Sequence, residues 1–105
     1  METILVISNL PDQASAEKLA AALIEQRLAA CVNIQSPCAS VYRWQDKVET
    51  ANEVPVFIKT TRAHYPALEV AIKMLHPYEL PEIIAVPLVA GLPAYLAWVH
   101  TETII

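Results

Sequence analysis

Ser40-Val41-Tyr42-Arg43-Trp44-Gln45-Asp46-Lys47-Val48-Glu49 lies near the middle of the 105-residue chain, and the other elements arrange themselves around it. Gln45-Asp46 reads as a tight turn, because Asp tolerates the positive φ that such turns need. On the incoming arm Val41 and Arg43 point to one face, Tyr42 and Trp44 to the other. The outgoing arm runs from Lys47-Val48-Glu49 through residues 50–54 into Pro55-Val56-Phe57-Ile58-Lys59-Thr60-Thr61. Its arms exceed the ~5–6 residues common in strands. A hairpin this long, with Tyr42 and Trp44 near its tip, overhangs a small sheet. A bare edge of that length is an aggregation template, and pairing with a partner subunit is the simplest remedy.

Upstream, residues 3–8 form a continuous β-branched run, as expected of a strand covered on both faces. Asn9-Leu10-Pro11-Asp12 ends it, with Asp12 as the N-cap of a helix over residues 13–28. Ala16, Leu19, Ala20, Leu23 and Ile24 share one face of that helix at spacings of three and four. A second strand starts at Cys31 and breaks at Gln35-Ser36-Pro37, which marks it as an edge. Downstream of the hairpin, Pro66 fits the first turn of a second helix whose face carries Leu68, Ala71, Ile72 and Leu75. Pro77 stops that helix. Residues 83–89 read as a buried strand. Pro93 then opens a last helix with Tyr95, Leu96, Trp98 and Val99. The order is βαββαβ plus a C-terminal helix. It predicts one α/β (α+β) domain over residues 1–105, a ferredoxin-like sandwich with helices on one face of an antiparallel sheet.

Apolar residues make up 55% of the chain and charged residues 17%, below the usual ~25%. So little polar surface suggests burial between subunits. Seven basic and eleven acidic side chains give a net charge of −4. The basic ones are scattered, which argues against nucleic acid or an anionic membrane as partner. No secretory signal is expected, and no unbroken apolar run reaches the ~18 residues a membrane span needs. Cys31 and Cys38 match neither a zinc CxxC pair nor a disulfide framework, and read as reduced thiols in the cytoplasm.

The chemistry gathers in His76-Pro77-Tyr78-Glu79-Leu80-Pro81-Glu82, where two prolines stiffen a connector bearing an imidazole, a phenol and two carboxylates. A rigid connector of this kind can aim side chains from a fixed scaffold. Neutral imidazole is the commonest metal ligand and a usual proton shuttle. Cys31 reads as a small buried hydrophobe or as a soft ligand for copper(I) or zinc. Lys59 stands in a core-like run and could meet a carboxylate across an interface. His64 and His100 are expected at ordinary surface. With a single glycine there is no phosphate-binding loop, and neither G-x-S-x-G nor H-E-x-x-H is present. An acid–base pair of His76 with Glu79 or Glu82 would lack an oxyanion device, so an enzyme is not expected.

Arg27-Leu28-Ala29-Ala30-Cys31, Ser40-Val41-Tyr42-Arg43-Trp44, Lys59-Thr60, His76-Pro77-Tyr78-Glu79 with Pro81-Glu82, and Tyr95-Leu96-Ala97-Trp98 together resemble the divalent-cation tolerance (CutA) family. The resemblance covers nearly the whole chain. It implies a compact homotrimer sealed by the hairpins, related to PII-like trimers, that binds divalent metal ions and has no established reaction. It also implies His76 and Cys31 as metal ligands, with copper ahead of zinc. Copper-binding members carry a further cysteine and histidine where this chain has Ser8 and Leu75, so the metal is expected to be weakly held. Tyr42, Trp44, Lys59, Tyr78, Glu79, Glu82 and Trp98 match motif positions expected near clefts between subunits. The rival expectation is a PII-like small-molecule sensor or scaffold, with an anion or metabolite near Lys59, Tyr42 and Tyr78.

Overall fold

A computed structural model describes residues 2–103. The elements are β1 (Thr3–Leu10), α1 (Gln13–Glu25), β2 (Cys31–Ile34), β3 (Cys38–Trp44), β4 (Lys47–Thr61), a 3-10 turn (Arg62–His64), α2 (Tyr65–Leu75), β5 (Ile84–Pro87) and α3 (Pro93–Glu102). All strand pairs are antiparallel, in the order β2-β4-β1-β5, with β3 also on β4. The α+β class is as expected, but the helices are not all on one face: Tyr95 of α3 lies beside Cys31, on the sheet face opposite α1 and α2.

Strand β4 is the axis of the sheet. Over Val54–Thr61 it pairs with β1, and over Val56–Lys59 with β2. Its outer half, Lys47–Glu53, has only β3 as a neighbour. That half is a two-stranded ribbon, closed by Gln45 and Asp46 at φ 49° and 66°, the double left-handed turn that matches strand twist. The ribbon stretches the molecule to 44 × 26 × 23 Å, with a radius of gyration of 14.2 Å, above the ~13 Å of a compact chain of this length. Two-stranded ribbons are marginal alone, and every residue from 41 to 50 is exposed.

Alternation along β1 and β4 separates the two faces of the sheet. Ile4, Val6, Leu10, Val54, Val56 and Ile58 turn toward α1 and α2, and pack with Leu19, Leu23, Leu68 and Ile72. Ser8 lies in the same row, fully buried, and its hydroxyl has no hydrogen-bond partner. The opposite face carries Ile84 and Val86 of β5, at the register of Ile7 and Leu5; they are 49% and 42% exposed.

Three further expectations are corrected. Helix α1 ends at Glu25, not at residue 28. Arg27 adopts φ 58°, Leu28 N–H donates to Leu23 O and Arg27 N–H to Ile24 O. This is a Schellman stop, in which Leu28 folds back onto Leu23, so Leu28 is buried without being helical. On the apolar helix faces, Ile24 and Leu75 are 43% and 42% exposed, because each lies in the last turn, past the sheet. The strand expected over residues 83–89 is only Ile84–Pro87 and is exposed, not buried. It is an edge strand with β1 as its single neighbour. Asp12 does cap α1, accepting from Ser15 N–H at 2.7 Å. That hydrogen bond holds the Asp12 carboxyl below its ordinary pKa.

Candidate functional site

The connector after α2 is tied to the end of β1. His76 is 7% exposed. Its Nε2–H donates to the Asn9 carbonyl at 2.6 Å, and its Nδ1 accepts from Tyr78 N–H at 3.1 Å. A carbonyl can only accept, so these partners define the neutral Nε2–H tautomer. The Tyr78 ring lies tilted against the imidazole, centroids 4.8 Å apart. Asn9 Nδ2–H then donates to Glu82 Oε1 at 3.1 Å. One residue of β1 thus grips the connector at both ends, its carbonyl through His76 and its amide through Glu82. Asn9 was legible only as a strand stop.

Between the connector and the root of the ribbon lies a cleft of about 800 Å³. Tyr42 and Trp44 from β3, Glu53 from β4, and Tyr78, Glu79 and Glu82 from the connector line it. Five of the seven residues expected near clefts between subunits line this cleft of the single chain. Glu53 is 8% exposed, set where β4 leaves the ribbon and enters the sheet. Arg43 is the basic residue in the lining, against three carboxylates. Burial, then the hydrogen bond and charge of Glu53, push the Tyr78 phenol up to about 12.

This shift gives a measurable consequence. A phenol whose folded pKa exceeds its unfolded value of ~10 contributes stability that is full below that value. The contribution disappears as pH climbs through about 12. Ultraviolet titration is expected to show one late tyrosinate near that pH. Tyr78→Phe removes that step, and removes part of the loss of stability on the alkaline side. A wild-type titration complete by about pH 11 would contradict the arrangement.

Lys59 and Trp98 lie elsewhere. Lys59 Nζ–H donates to Asn33 Oδ1, toward which the Cys31 thiol also points at 3.8 Å. The Tyr95 hydroxyl sits beside Cys31, and burial, chiefly, raises its pKa. Trp98 packs tilted on Tyr95, centroids 5.6 Å apart. This second polar group belongs to the sheet face opposite α1 and α2, because Cys31 pairs with Lys59 and Asn33 with Phe57.

The two expected metal ligands are not neighbours. Cys31 is in register with Lys59 and Asn9 with Pro55, positions roughly 14 Å apart along β4. Ligands of one ion stand ~2.0–2.3 Å from it. His76, which touches Asn9, therefore cannot share an ion with Cys31 of the same chain. Among the described residues, no group of three or more His, Cys, Asp or Glu is placed to hold a metal ion. Both imidazole nitrogens of His76 are engaged by backbone groups. Ser8 is sealed in the core. A preformed soft-metal site does not fit the single chain.

Residues 4–102 match the family profile described as CutA1 divalent ion tolerance protein. The divalent-cation tolerance protein CutA of Thermus thermophilus is 43% identical over 103 residues, covering 98% of this chain and 99% of that one. The crystal structure of CutA from Xylella fastidiosa superposes with a TM-score of 0.95 at 45% identity, covering 98% and 99%. A protein of Archaeoglobus fulgidus, described as the periplasmic divalent cation tolerance protein CutA, gives a TM-score of 0.93 at 33% identity, covering 96% and 98%. No helix among the described residues is long and apolar enough to cross a membrane. With this coverage and identity, and with the ribbon and connector of the motifs in place, the chain belongs to the CutA1 divalent ion tolerance family.

Proposed function

We propose that the chain acts in divalent-cation tolerance as a homotrimer that holds the ion weakly, with donors drawn from more than one subunit. The observation that carries this reading is that the single chain leaves both its surfaces and its donors incomplete. The ribbon and the Ile84–Val86 face lack cover, and no three donors converge among the described residues. Copies of the chain supply both. Cys31 and His76 are the soft donors for copper, with zinc second. His76 must give up a backbone hydrogen bond of about 1 kcal/mol to ligate, which favours weak binding.

The role is one of binding, not catalysis. The best acid–base candidate, His76, has its ring nitrogens tied to Asn9 and Tyr78. The unpaired Cys31 and Cys38 suit the cytoplasm. Calorimetric titration with copper and with zinc tests the ion and its donors. Micromolar-to-millimolar binding, reduced about tenfold by Cys31→Ser or His76→Ala, is the expected outcome. Equal binding by wild type and both variants would remove these ligands. A small molecule in the cleft is favoured as a second reading by the volume of about 800 Å³. An anion near Lys59 is not favoured, since Lys59 lies outside the cleft and carboxylates line it.

A further inference from the structure

We draw no further inference here: the strongest candidate, the apolar slot of about 450 Å³ between the start of α2 and the edge strand β5, lined by Ile4, Tyr65, Pro66, Ala85 and Pro87, carries nothing because its one charged group, Arg62, is already paired with Glu2 and nothing in the structure shows what covers it.

Discussion

Val86→Glu is expected to sediment as a single chain at micromolar concentration, and the wild type, on the homotrimer reading, as three. Val86 stands on the sheet face opposite α1 and α2, in register with Leu5 and beside Ile84. In the isolated chain it is 42% exposed, so a glutamate there reaches water and folding is spared. In an assembly that covers this face the same carboxylate is buried without a partner. That costs several kcal/mol in each subunit, enough to weaken association by at least about a hundredfold. Circular dichroism should remain close to wild type while the mass falls. If the variant keeps a three-chain mass and its stability, this face is not covered by other copies, and the assembly must be sought elsewhere.

His76→Ala is expected to destabilise the chain by about 2–4 kcal/mol in EDTA, with no metal present. The substitution removes two hydrogen bonds to backbone groups, each worth about 1 kcal/mol. It also opens a cavity at a buried ring position, where Tyr78 loses the surface it packs on. Denaturant unfolding followed by circular dichroism measures the loss. His76→Gln, which can still donate to the Asn9 carbonyl, should recover part of it. A variant as stable as wild type would show that His76 does not fasten the connector. The metal titration of the same variant is read only after this correction, since a loosened connector also displaces Glu79 and Glu82.

The turn at Gln45-Asp46, the Asp12 cap, the stop at Pro77 and the element order were all legible in the sequence, because each rests on local backbone chemistry. The family motifs were also visible, and five of the residues they placed near clefts between subunits line the cleft of the single chain. What escaped depends on distant partners. Nothing in Asn9-Leu10-Pro11 shows that Asn9 will hold both His76 and Glu82, residues far along the chain. Glu53 reads like its neighbour Glu49 until the sheet closes over it. The Ile84–Pro87 strand looks like core by composition, yet is exposed in the protomer. On the trimer reading, its residues are apolar because of a surface that only copies of the chain complete, and a pattern in one sequence does not distinguish the two kinds of burial. Cys31 and His76 shared a motif list, but the β2–β4 register sends them to different ends of the paired stretch of β4.

Thr3 of β1 pairs with Thr61 of β4, and the other neighbour of β1, β5, comes later still. During synthesis, then, the first strand leaves the ribosome with no sheet neighbour at all. At ~5–20 residues per second, it waits roughly 3–12 s before β4 is complete. Over that interval Ile4, Val6 and Leu10 have only α1 to lean on. The nascent chain is therefore most in need of a shielding chaperone early in translation, well before the ribbon exists.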